Sequence, residues 1–335
     1  MVQVLPTRHL TVWRHCVAAQ GKVVGLLNPA TVVGQGTDGI FSAAGPGGTA
    51  ALNGSLSLHE EIGRLVSARV LLLSETPEAA HTLAAHLDSA RTSRTAAYLC
   101  CLLSSCDLVN QALDTIAQAR VLIVGCGGIG ATAAVALGGV GVRSLHLCDP
   151  DLVEISNLNR QLFWRRADEG RLKVEVLGEV IADRFPDVKI DTCRERLDTI
   201  AQLGELIAGK DAMLFTADEP LGIDKVLRDR AGRSSAFMVF AGYTLRGEGV
   251  LRWGRQADVY TARTEGPTHW TKAPNGIAPS YGPLNLELAG QATALLVNGL
   301  IGDLAEPGWH KQVFDSDAFP RRVWGTHVDE HPIVS

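Results

Sequence analysis

The stretch ARVLIVGCGGIG, residues 119–130, decides the fold. Residues 121–124 form an unbroken apolar run of strand length that stops at Gly125. Gly127, Gly128 and Gly130 come next, and the Ala-rich run ATAAVALGGV (131–140) continues as a helix. Glycines permit a tight turn and let backbone approach a phosphate. The helix start behind them offers unpaired N–H groups and the positive end of a dipole. A strand, a glycine turn and a helix in this order open a Rossmann-like unit. Asp149 ends the next strand, SLHLCD (144–149), where a carboxylate can accept hydrogen bonds from a ribose. Taken alone, this pattern points to a nucleotide, with NAD or FAD as the default.

Working outward, strands are expected at 119–125, 144–149, 188–193, 212–217 and 236–243. Helical patterns fall near 128–141, 171–185, 198–208 and 222–232. Short strands alternating with helices imply an α/β fold, a Rossmann-like doubly wound parallel sheet covered on both faces. Residues 247–255 add a strand, and 284–304 read as a closing helix. Between them, 256–283 shows little periodicity; His269, Trp270, Lys272, Asn275 and Tyr281 lie there, where a loop could cover a substrate.

Residues 1–90 have a different character. Short β-leaning runs, HLTVWRHCV, KVVGLL and a third at 39–44, precede AAGPGGTAALNG (43–54), which reads as a loop. SLHEEIGRLVSA and TPEAAHTLAAHLDSA have helical spacing, the second opening with Thr76 as N-cap and Pro77 in the first turn. Residues 1–90 are therefore expected to be a small winged-helix-like α+β module, and 91–335 a second domain that begins with helix through 117.

The chain has 335 residues, 46% hydrophobic and 20% charged, which excludes wholesale disorder. A net charge of −5 lacks the basic footprint of a nucleic-acid binder. The seven cysteines contain no CxxC pair and none lies beyond Cys193, so neither a disulfide framework nor a zinc site is expected. The start lacks a signal-peptide run, and a reducing cytoplasmic setting is expected. Residues 121–142 carry no charge, but their seven glycines argue against a membrane span.

The residues beyond Asp149 change the nucleotide reading. The sequence continues DPDLVEISNLNRQ (149–161), Lys173 comes early in a helix, and Asp218 ends the strand at 212–217. Cations beside phosphates and a carboxylate for Mg²⁺ suit an enzyme that cleaves a triphosphate better than one that transfers a hydride. These motifs resemble the ThiF/MoeB/HesA superfamily of ubiquitin-activating-enzyme-like adenylyltransferases. The resemblance runs from the RTSR element at 91–94 through the helix near 302.

The resemblance implies an ATP- and Mg²⁺-dependent enzyme that adenylylates a C-terminal carboxylate, usually as a homodimer. It implies that Gly125, Gly127, Gly128 and Gly130 wrap the α-phosphate and that Asp149 holds the ribose. Asn157, Arg160, Gln161 and Lys173 would line the phosphates, with Asp151 and Asn159 in the same nucleotide-binding motif. Asp218 would bind magnesium. Arg94 would serve the neighbouring subunit's site, although RTSRT lacks the family's usual Gln. With Arg160, Lys173 and Asp218, Arg94 completes the expected catalytic set.

Sulfur-carrier activators often carry CxxC pairs and a later cysteine, and they lack a 90-residue leader module. In layout the chain is closer to peptide-maturing members such as the microcin C adenylyltransferase, whose N-terminal module binds a peptide by strand addition. A peptide carboxylate is therefore the expected substrate. The alternatives are a ubiquitin-like or sulfur-carrier protein's C-terminus, or a non-catalytic role as a peptide-binding subunit.

Overall fold

The computed structural model describes residues 5, 7, 9–37, 39–52, 55–196, 200–217, 236–243, 247–255, 280–302, 310–314 and 323–328. Asp218, the helix expected at 222–232, and His269, Trp270, Lys272 and Asn275 lie outside them. The chain divides into two compact units, Met1–Thr115 and Ile116–Ser335. The expected boundary stood at 90; the helix at 93–102 and most of the one at 106–118 belong to the first unit.

In the first unit β1 (Leu10–Trp13), β2 (Cys16–Ala19), β3 (Lys22–Leu27) and β7 (Leu71–Leu73) form one antiparallel sheet in that order. β4 (Val32–Gln35), β5 (Phe41–Gly45) and β6 (Gly48–Leu52) form a second. The stretch at 43–54 is therefore not a simple loop: it holds the β5–β6 hairpin, with Gly45 paired to Gly48. Its glycines answer to packing. A Cβ on Gly45 or Gly47 would lie 2.6 Å from the Ala68 or Ser67 carbonyl oxygen, and the Gly47 N–H donates to Ala68 at 3.0 Å. The hairpin tip thus abuts the end of α1 (Leu58–Ser67), whose start carries a Ser57/Glu60 capping box. α2 (Pro77–Asp88) opens with the expected Thr76 cap and early Pro77, and α3 (Ser93–Leu102) and α4 (Cys106–Gln118) come next. Leu10, Val17, Leu52, Leu65 and Leu71 anchor the core of this α+β module.

The second unit is built on an eight-stranded sheet. β8 (Arg120–Val124), β9 (Ser144–Cys148), β10 (Lys189–Cys193), β11 (Ala212–Phe215) and β12 (Phe237–Tyr243) run parallel in the order β10-β9-β8-β11-β12. Three antiparallel strands extend the expected parallel sheet: β13 (Gly249–Arg255), which is the strand expected at 247–255, β14 (His310–Phe314) and β15 (Val323–Val328). The chain winds outward from β8 to β10, then returns to β11 on the other side. That reversal lies at the carboxyl ends of β8 and β11, the place where open α/β sheets bind ligands.

α5 (Gly128–Val140), α6 (Lys173–Arg184), α7 (Ile200–Ile207) and α8 (Gly282–Ile301) complete the unit. α5 packs against α8, and both are apolar on most faces, as helices covering a buried sheet must be. α8 starts and stops slightly earlier than its apolar run predicts; Gly302 ends it in the left-handed conformation, φ +82°. Leu122, Met213, Phe215 and Met238 lie in the buried core of the sheet. Among the described residues no helix is long and apolar enough to cross a membrane.

Candidate nucleotide site

The glycine turn after β8 is shaped by close backbone contacts. Gly125 has φ +90°, and a Cβ there would meet Thr216 Oγ1 at 2.7 Å and the Ala217 nitrogen at 2.8 Å. The Thr216 hydroxyl donates to the Gly125 carbonyl at 2.8 Å, tying the ends of β8 and β11 together. A Cβ on Gly130 would stand 1.8 Å from the Gly125 carbonyl oxygen, and one on Gly128 would stand 2.1 Å from Asn285 Nδ2. Only at Gly127 among these four is there room: its nearest neighbour, Gln161 Nε2, is 3.6 Å from the Cβ position. Gly127 is also the N-cap of α5 and caps it with no side-chain hydrogen bond. Among the described residues no side chain caps the first turn, which suits an anion there.

Asp149 joins this turn to the segment after β9. One carboxylate oxygen accepts from the Cys126 N–H at 2.6 Å, the other from the Asp151 N–H at 2.8 Å. The residue is only 5% exposed. Burial pushes its carboxyl above the ordinary 3.8, while the Lys173 charge and the two N–H donors pull the other way. The native chain then holds that proton more tightly than the unfolded chain. Its contribution to stability falls as pH rises from the ordinary value through the raised one. In urea unfolding between about pH 4 and about pH 7, the stability of wild type minus that of Asp149→Asn should decline with pH; a flat or rising difference would refute the assignment.

Lys173 is the first residue of α6 and is 6% exposed. Its Nζ donates to Asp151 Oδ2 at 2.8 Å, and its backbone N–H donates to the Asp151 carbonyl at 3.0 Å. Asp151 itself reaches toward solvent, with a side chain 58% exposed. Asp149, Asp151 and Lys173 are thus brought together with the glycine turn.

The SNLNRQ segment forms a short 3₁₀ turn at Ile155–Asn157. Asn157 is buried; its Oδ1 accepts from the Glu154 N–H at 3.2 Å and its carbonyl accepts from the Arg160 and Gln161 N–H groups. Gln161 is buried too, and its Oε1 accepts from the Trp164 indole. These two side chains shape the loop, and Gln161 faces Gly127. The Arg160 guanidinium is oriented by the Ser156 carbonyl at 2.8 Å and by Asn159 Oδ1 at 2.9 Å. Arg94 is exposed on α3 in the first unit. Cys126 is fully buried and burial pushes its thiol well up, which suits packing and not nucleophilic attack. Among the described residues no group of three or more His, Cys, Asp or Glu could hold a metal.

Two residues at the site have no counterpart among the sequence expectations. Thr216 lies in the TAD motif but carried no assigned role. Asn285 gives no sequence signal at all; it is 2% exposed, and its Nδ2 donates to the Arg160 carbonyl at 3.3 Å.

A family model described as the ThiF family matches residues 103–313. The molybdopterin-synthase adenylyltransferase of Salmonella typhimurium is 40% identical over 105 residues, 31% of this chain and 42% of that protein. The sulfur carrier protein ThiS adenylyltransferase of Escherichia coli is 34% identical over 112 residues, 33% of this chain and 44% of that protein. The adenylyltransferase and sulfurtransferase uba4 of Aspergillus terreus is 41% identical over 103 residues, 31% of this chain and 21% of that protein. The matches thus span less than half of these relatives. Among solved structures, E. coli MccB aligns with a TM-score of 0.68 at 16% identity, covering 91% of this chain and 94% of that one. At that identity the likeness is one of fold, and it extends over both units.

Proposed function

Because the chain belongs to the ThiF family, we propose that it is an adenylyltransferase that uses ATP and Mg²⁺ to activate a C-terminal carboxylate and releases pyrophosphate. The observation that carries this reading is Lys173, a buried cation held by Asp151 and linked through Asp149 to the glycine turn. A hydride-transfer site has no need of a buried lysine beside its phosphates. In the proposed reaction the ionised carboxylate needs no general base. One of its oxygens bonds to the α-phosphorus as the bond from that phosphorus to the bridging oxygen breaks, and pyrophosphate leaves. Turn N–H groups, Lys173 and Arg160 would orient the phosphates and offset the charge that builds on the leaving group. Asp218 remains the proposed magnesium ligand.

For the acceptor, the relatives' names favour the C-terminus of a small carrier protein, the reading that the sequence ranked second. The peptide reading is supported by the first unit. There β1 forms an edge of its sheet, and a cavity of about 380 Å³ opens beside it, lined in part by Trp13, Arg14, Cys16 and His81. An edge strand with an adjoining hollow suits an extended peptide. ATP–pyrophosphate exchange separates the two: a carrier protein ending in GlyGly should stimulate exchange in the first case, and a peptide bearing a free carboxylate in the second. Exchange with neither, alongside no binding of an ATP analogue, would sink the adenylyltransferase reading.

The proposed homodimer has its own test. If Arg94 serves the partner's site, mixing Arg94→Ala with Asp218→Asn protein should restore part of the activity, because one site of the mixed dimer then has both groups. Recovery no greater than the sum of the two parents would remove Arg94 from the site.

A further inference from the structure

Asn285 occupies the space between two parts of the nucleotide site. It sits in the first turn of α8, where its N–H donates to the Tyr281 carbonyl at 3.0 Å. On one side its side chain fills the place of a Gly128 Cβ, which would lie 2.1 Å from Nδ2 and 2.8 Å from Cγ. On the other side Nδ2 donates to the Arg160 carbonyl at 3.3 Å and to Ser280 Oγ at 3.4 Å. At Gly282, one turn earlier, the same helix start lies beside this backbone, with the Cβ position in ordinary contact, 3.5 Å from Asn159 O and 3.6 Å from Arg160 Cα. Oδ1 is buried and has no partner among the described residues. A buried amide with half its bonding capacity unused is a costly choice for packing alone.

We propose that Asn285 is a positioning residue for adenylyl transfer: it sets the separation between the start of α5 at Gly128 and the backbone of Arg160. This rests on the adenylyltransferase reading. Arg160 can neutralise charge on the phosphates only if its segment stands at a fixed distance from the turn that binds them. An error of an ångström in such a site costs up to roughly 100-fold in rate. The glycine at 128 is then explained by both neighbours: Asn285 fills most of its side-chain space, and the Arg160 carbonyl oxygen stands 3.0 Å from its Cβ position.

The test uses the full chain and three readouts: binding of a non-hydrolysable ATP analogue by calorimetry, kcat and KM of pyrophosphate exchange, and thermal melting. Asn285→Ala should lower kcat about tenfold or more while analogue binding and melting change little. Gly128→Ala should lower exchange about 100-fold. The double variant Gly128→Ala/Asn285→Ala should recover about tenfold over Gly128→Ala, because truncation removes the two atoms nearest to the new methyl and leaves only the Arg160 carbonyl oxygen at 3.0 Å. Should Asn285→Ala fail to fold, Asn285→Ser, which keeps a donor, replaces it in both comparisons. A double variant no better than Gly128→Ala overturns the inference, as does wild-type kcat in Asn285→Ala. So does a loss of kcat that vanishes once scaled to the folded fraction. A wild-type chain that binds no analogue overturns the parent reading, and this inference with it; normal binding beside any of the other failures overturns the inference alone.

Discussion

Lys173→Ala should lower the turnover of pyrophosphate exchange by about 100- to 1,000-fold, the loss expected when one charge-stabilising group leaves a preorganised site. The KM for ATP should rise much less, because the leaving pyrophosphate gains charge that the ground state does not have. The structure gives two reasons to expect an effect at the large end. Lys173 is buried, so solvent screens its charge poorly. Its charge also opposes the burial that pushes the Asp149 carboxyl up. Without it Asp149 would be easier to protonate, and a protonated carboxyl is a weaker acceptor for the Cys126 N–H. The lesion would therefore spread to the glycine turn. Asp151→Asn, which keeps the cation and removes its partner, should be milder. Steady-state exchange at saturating ATP is the measurement; turnover within about threefold of wild type would exclude Lys173 from the chemistry.

Gly130→Ala should weaken nucleotide binding severely, and Gly127→Ala should separate folding from function. At Gly130 the added methyl would lie 1.8 Å from the Gly125 carbonyl oxygen, which is backbone and cannot swing aside. The turn must open, at a cost of about 1–3 kcal/mol or more in stability. ATP-analogue binding should weaken by at least about 100-fold, since the N–H groups no longer converge. Gly127 has ordinary dihedrals, φ −78° and ψ −152°, and ordinary space, so alanine there should leave the melting temperature almost unchanged. Its methyl would nonetheless stand at the N-cap of α5, where the proposed reaction brings a phosphate. Gly127→Ala is thus expected to fold normally and bind ATP more weakly. Normal binding by Gly130→Ala, or a collapsed fold in Gly127→Ala, would show that the turn is held in some other way.

The parts of this site that are legible in the sequence are local. Gly125 to Gly130, Asp149 and the SNLNRQ run lie within 37 consecutive residues, and their spacing alone implies a strand, a turn and a helix around an anion. Lys173 is recognisable as a candidate site cation, but its bond to Asp151 is not, because no periodicity encodes a side-chain pair across a loop. Asn285 is invisible for a stronger reason. One asparagine in an apolar helix is ordinary until the chain brings it against Gly128. At 43–54, glycine and proline signal a loop, and the same residues serve equally well as a hairpin tip pressed against α1. β14 and β15 are short and mix polar with apolar residues; the pairing of β14 with β13 and of β15 with β14 defines them, not their own pattern. The unit boundary has no mark of its own, because nothing in the sequence separates the helix at 93–102 from the helices on either side of it.

The Lys173–Asp151 pair has a further consequence for the timing of the proposed cycle. One member is buried and the other faces solvent, so in the proposed reaction the aspartate would act as a resident counter-ion for an incoming polyphosphate to displace. Binding is then an exchange of one anion for another, which moderates affinity and spares the buried ammonium a period with no partner. The same exchange runs backwards at the end: as pyrophosphate loosens, the carboxylate of Asp151 is within reach to reclaim the lysine. A group that merely parks a cation between turnovers would thereby assist product departure, a smaller contribution to turnover than the charge that Lys173 itself offsets.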